Sequence, residues 1–153
     1  MSWFGLFKKS EDFFSEKEKE QIIAAIRQSE KRTSGEIRVF VESRCRFLNP
    51  LDRAKEIFFG LKMDKTDEHN AVLLYIAVKD RQLAVYGDEG IHRKVGEVFW
   101  KTEVEKMIAL FKGQNYGDGL AGIVTEIGNA LYQHFPYASD DKNELPDEIV
   151  FGK

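Results

Sequence analysis

A single cysteine, Cys45, stands in 153 residues, so no internal disulfide forms and no thiolate zinc site can be built. Neither sign of charge prevails: 23 Lys+Arg against 26 Asp+Glu leave a formal charge of −3, too little positive field to gather phosphate backbones. Nucleic acid is therefore excluded as an expected partner. Long hydrophobic runs are missing as well; the longest, Ala71 to Val78, falls far short of the roughly 20 residues that cross a bilayer and suits a strand. The first residues lack the apolar stretch of about 7–15 residues found in a secretory signal, so the expected location is cytoplasmic. There is no Gly-x-Ser-x-Gly elbow, Walker loop, His-Glu-x-x-His helix or complete calcium-hand loop, and those enzyme classes lose support. Proline is scarce at 3 residues, while hydrophobic residues reach 42% and phenylalanine 12 positions, enough apolar surface to offset the ordering entropy of one domain.

What is present divides into three parts. Residues 1–14 form an aromatic and basic tail, 15–136 a single folded domain, and 137–153 a polar tail. In the first tail, Trp3, Phe4, Leu6 and Phe7 precede two lysines, a pattern that permits at most weak peripheral contact with a lipid surface; packing on the domain is the alternative. In the last, Ile149-Val150-Phe151 is expected to dock in a surface groove.

Between the tails, periodicity sets the elements. Ser15 with Glu18 has the form of a capping box, and Ile22, Ile23 and Ile26 share a helix face, predicting a helix from Glu16 to Lys31. Ile37, Val39 and Val41 alternate with Glu36, Arg38 and Glu42, predicting a strand with one wet face. Pro50 suits the first turn of a second helix, and the doubly apolar Ala71 to Val78 predicts a central strand covered on both sides. A tight reversal at Lys79-Asp80-Arg81 then returns an antiparallel strand, and helices follow over Val98 to Phe111 and from Leu120 to His134. The fold class is α/β: a three-layer α/β/α sandwich around a mixed sheet, Rossmann-like in its layers. It is not a dinucleotide-binding Rossmann domain. Gly117-Asp118-Gly119-Leu120-Ala121-Gly122 matches the fingerprint as a string but follows a helix, where a pyrophosphate site requires a strand; its glycines then read as allowing close packing.

That topology gathers three segments at one sheet rim: Glu36, the loop from Asp64 to Asn70, and Asp88-Glu89. Asp67 and Asp88 are the first candidate ligands for a divalent cation, calcium above all; Asp64, Glu89 and an oxygen of Asn70 come second. An ordinary solvated rim, with Asp88 and Asp67 capping turns or helix starts, explains the same residues. His69 and His92 flank the rim as candidate proton donors, whereas His134 reads as structural and Cys45 as incidental.

Thr33-Ser34-Gly35-Glu36-Ile37-Arg38-Val39, Asn70 to Ala77, Asp80-Arg81, Tyr86-Gly87-Asp88-Glu89-Gly90-Ile91, Phe111 to Gly113, Tyr116 and Gly119-Leu120 together resemble the TPM (thylakoid, phosphatase, molecular chaperone) domain family over about residues 15–135. The resemblance implies a three-layer α/β/α sandwich. It also implies calcium binding, as in some bacterial members, or acid phosphatase activity, as associated with a plant thylakoid member, which a cation at the rim would assist by offsetting phosphate charge; a third reading, from the aromatic N-terminus, is a metal-independent interaction module with a protein partner at a membrane complex. Where the family carries Asp-Asn-Gly before the central strand, this chain has His69-Asn70-Ala71, and Asp67 is the acidic residue near enough to substitute.

Overall fold

The computed structural model describes residues 13–47, 49–137 and 149–152; the aromatic residues Trp3 to Phe7 and the linker ahead of Ile149 lie outside them. Helix α1 spans Glu16–Glu30, and its start carries both halves of the capping box, Ser15 accepting from the Glu18 amide and Glu18 accepting from the Ser15 amide. Strand β1 follows at Glu36–Glu42, helix α2 at Pro50–Gly60 with Asn49 capping it, and a single 3-10 turn at Met63–Lys65. Strands β2, Ala71–Ala77, and β3, Gln82–Gly87, form the hairpin, with Arg81 at φ 53° closing the turn. Helices α3, Glu89–Val95, α4, Glu97–Lys112, and α5, Gly117–His134, precede β4 at Ile149–Phe151.

The sheet order is β3-β2-β1-β4. β1 runs parallel to β2 with Glu36 opposite Ala71, and β2 runs antiparallel to β3 with Val72 opposite Gly87. The sheet is therefore mixed, as expected. One face presents Ile37, Val39, Val41, Val72, Leu74 and Ile76 to α1, α4 and α5; the other presents Phe40, Leu73 and Tyr75 to α2. Two apolar clusters with the sheet between them make the three layers.

Three expectations need correction. β1 has no wet face, because Glu36, Arg38 and Glu42 are all buried. Their side chains lie on the α2 side, where Glu42 is held by Arg53 from α2 and by the Tyr75 hydroxyl, so the charge of Glu42 marks internal pairing rather than solvent. Ile149-Val150-Phe151 does not dock in a groove. It pairs in parallel with Val39-Phe40-Val41 and completes the sheet edge. A seven-residue helix, α3, was missed because it is too short to show a helical period. At the N-terminal side, Phe13 and Phe14 are buried in the α1/α5 core, so packing begins before the capping box.

Candidate functional site

Register alone brings the rim together. Since Glu36 faces Ala71 and Val72 faces Gly87, the start of β1, the loop before β2 and the end of β3 meet at one end of the sheet. The Glu36 amide donates to the Asn70 carbonyl at 3.4 Å, and the Asp88 amide to the Ala71 carbonyl at 2.9 Å. Gly90 draws the segments closer still. A Cβ placed there would lie 2.2 Å from the Glu68 carbonyl oxygen, so a side chain at this position would push the loop away.

Asp88 is the N-cap of α3: one carboxylate oxygen accepts from the Glu89 amide at 2.8 Å, and the other lies 3.3 Å from His69 Nδ1. The capping reading of Asp88 is thus correct, although a carboxylate with both oxygens engaged still has lone pairs to offer. His69 occupies the left-handed region at φ 51°, which Asp, Asn and His tolerate better than most side chains. Asp64 lies 3.5 Å from Lys65, Asp67 is exposed in the loop, and Glu89 pairs with Arg93 at 2.8 Å.

Asn70 is the deepest polar group of the rim, 1% exposed. Its side-chain amide donates to Ser34 Oγ at 3.0 Å and more weakly to Glu68 Oε2 at 3.4 Å, while Ser34 donates to the same carboxylate at 2.8 Å. Because the Ser34 hydroxyl gives its one proton to Glu68, it can only accept from Asn70, so the Asn70 NH2 faces this pair and the Oδ1 faces away. That Oδ1 is buried and has no hydrogen-bond partner among the described residues. Ser34 and Glu68 were not among the expected ligands; the polar loop and the Ser34-Gly35 break placed them near the rim, but nothing in the spacing tied them to Asn70. Nearby, burial first and then the Asp88 and Glu89 carboxylates push the Tyr86 phenol pKa upward.

Donor type and donor arrangement differ at this site. Carboxylates, an amide oxygen, a hydroxyl and loop carbonyls suit a hard divalent cation such as calcium and suit zinc or copper poorly. Yet among the described residues no three His, Cys, Asp or Glu side chains converge closely enough to hold an ion. Asp67 and Asp88 share the rim without forming a cage.

The opposite end of the sheet holds a second polar cluster, Glu42 with Arg53 and Tyr75. Arg53 binds Glu42 through two nitrogens at 2.9 and 2.8 Å, and this pairing raises the guanidinium pKa further, while burial first and then Glu42 raise that of the phenol. Such a cluster is internally satisfied. Beside it, the Cys45 amide donates to Asp80 at 2.7 Å and its thiol contacts the Phe47 carbonyl at 3.5 Å, consistent with an incidental role. His92 accepts from the Trp100 indole at 3.0 Å, which occupies one of its ring nitrogens in packing. The glycine-rich string opens α5, with Gly117 against Gln21 and Gly119 against Leu110, so it serves helix packing, and Asp118 accepts from Gln21 at 2.6 Å.

Comparison with known proteins agrees with this architecture. A family model described as the TPM domain matches residues 7–130. The NMR structure of BA42 protein from the psychrophilic bacterium Bizionia argentinensis is similar at 41% sequence identity and a TM-score of 0.83, covering 94% of this chain and 99% of that one. No curated protein matches the chain. With more than half of its length matched and the sheet, layers and rim of the expected sandwich in place, this chain belongs to the TPM domain family.

Proposed function

We propose that the rim binds a divalent cation, calcium in the first instance, and that ion binding is the primary biochemical property of this domain. The observation that carries the reading is Asn70 Oδ1, a buried oxygen beside the Glu68 carboxylate with no hydrogen-bond partner among the described residues. Leaving such a group unsatisfied costs about 1–3 kcal/mol, which a cation recovers. Asn70, Glu68 and Asp88 are the principal oxygens, and Asp67, Asp64 and Glu89 complete the shell when the loop over residues 64–69 closes on the ion. Few of these groups lie in place beforehand, so the affinity belongs to the weak end of calcium sites, with a dissociation constant on the order of 10⁻⁴–10⁻³ M.

Calcium titration by calorimetry, with backbone amides followed by NMR, tests this. Wild type binds with amide shifts confined to residues 34–36, 64–71 and 88–91. Asp88→Asn keeps the α3 cap but removes charge, and Glu68→Gln keeps donors and acceptors near Asn70; each weakens binding about tenfold or more. Equal binding by wild type and both variants overturns the site. A second reading, metal-assisted phosphomonoester hydrolysis, draws on His69, whose Nδ1 lies 3.3 Å from Asp88 and is placed to supply a proton beside the bound ion. Phosphate release from a generic monoester by the calcium- or magnesium-loaded protein, lost in Asp88→Asn, supports it; equal rates in both point to a contaminant.

A further inference from the structure

β3 ends the sheet, so among the described residues one of its backbone edges has no strand beside it. Which groups face that edge follows from the ladder. The Asp88 amide donates to Ala71, making this a hydrogen-bonded pair, so Tyr86 and Ala84 also point their amides and carbonyls at β2. By alternation the N–H and C=O of Leu83, Val85 and Gly87 point outward. These three residues line a cleft of about 760 Å³ that runs between α2 and α4.

The walls of the cleft are apolar near the strand and charged above it. Pro50 and Leu51 from α2 face Trp100 and Val104 from α4. At the Gly87 end the Trp100 ring lies so close that a Cβ on Gly87 would come within 2.2 Å of it. Of the charged residues lining the cleft, Glu97 is 3.6 Å from Lys101, Glu89 pairs with Arg93, and Lys55, on the facing α2 wall, lies 5.9 Å from the centroid of the Tyr86 ring. Glu105 is exposed on the α4 wall with no partner among the described residues. The uncompensated charge on that wall is negative.

We propose that this cleft binds an extended segment of a partner protein, apolar on alternate residues and carrying a lysine or arginine opposite Glu105, which adds to β3 as a fifth strand. Outward amides and carbonyls at two-residue spacing recognise only extended backbone, the apolar walls take alternate side chains, and Glu105 selects a cation. A second copy of this chain fits less well. Leu83 and Val85 are only 9% and 3% exposed, so the edge is recessed between two helices, and two recessed edges cannot meet across a two-fold axis.

The test uses the full chain in EDTA, which separates this surface from the cation site. The probe is a capped octapeptide of alternating valine and lysine, with two controls: the same peptide N-methylated on alternate amides, and a valine–glutamate version. Binding shifts the NMR amide signals of Leu83, Val85 and Gly87 saturably and slows their hydrogen exchange, while Ala84 and Tyr86, already bonded to β2, exchange as before. N-methylation weakens binding at least tenfold, and Glu105→Lys, a surface change that leaves the fold intact, weakens the lysine peptide at least threefold while strengthening the glutamate one. The proposal is overturned if the N-methylated peptide binds as well as its parent, or if those three amides do not respond. It is equally overturned if they become protected with rising protein concentration alone, which identifies a second copy as the occupant.

Discussion

Glu103 shows how one side chain sets a pH dependence. It is buried between α4 and α5, with Lys106 at 3.6 Å; Lys106 in turn holds Glu126 at 2.7 Å. Burial, followed by its hydrogen bond to Glu126, pushes the Glu103 carboxyl up to about 7, with Lys106 opposing; the Lys106 hydrogen bond lowers Glu126. A carboxyl that holds its proton more tightly folded than unfolded adds stability that is fully present below its unfolded value, roughly 4.3. That contribution is lost as pH rises through about 7. The thermal midpoint of the wild type should therefore fall relative to Glu103→Gln between about pH 5 and about pH 8; parallel curves for the two proteins would show that Glu103 does not titrate in this range. Glu126 has the opposite sign, its contribution being lost on acidification. Residue-scale legibility was uneven for the same reason. Asp88 as a cap could be read from its place before a helix start, but the buried role of Glu42 depends on Arg53 of α2 and on Tyr75, residues remote from it in the chain.

At the scale of elements, local patterns served wherever an element was long. The capping box fixed the start of α1, Pro50 that of α2, and the doubly apolar run identified β2 as central. The element that matters most to the rim, α3, escaped because it has seven residues and one deeply buried apolar side chain, Ile91. Its start rests on Asp88. Asp88→Ala should lower the unfolding free energy by about 1 kcal/mol, whereas Asp88→Asn should change it by only a few tenths, because asparagine also caps. Urea unfolding of both variants distinguishes them; equal losses would mean that the charge toward His69, and not the cap, is what the carboxylate supplies. In that comparison the asparagine variant also separates the capping role of Asp88 from its proposed role toward a cation.

For the molecule as a whole, closure of the sheet depends on a segment distant from everything it touches. β4 covers the outer edge of β1 through the pairs Val39 with Ile149, Phe40 with Val150 and Val41 with Phe151, and Ile149 joins the α1/α5 core. Ile149→Ala should lower stability by about 2 kcal/mol, as for a buried branched side chain cut to a methyl, with an unchanged denaturant slope. No change in the midpoint would mean that β4 contributes nothing to the folded state. The two proposed surfaces also belong to this scale: the cation rim and the β3 cleft share Glu89 and the Gly87 end, but one depends on loop carboxylates and the other on a bare strand edge.

The sequence by itself determined the order and type of the long elements, the mixed sheet between helical layers, and the arrival of three polar segments at one rim. These follow from local periodicity, caps and the geometry of a parallel crossover. Only the tertiary structure decided that the charges of β1 are buried, that Ile149–Phe151 is a strand, and that Ser34, Glu68 and Asn70 form a bonded trio leaving one oxygen without a partner among the described residues. Burial and pairing depend on which distant side chains come into contact, and the spacing of residues along a chain does not contain that information.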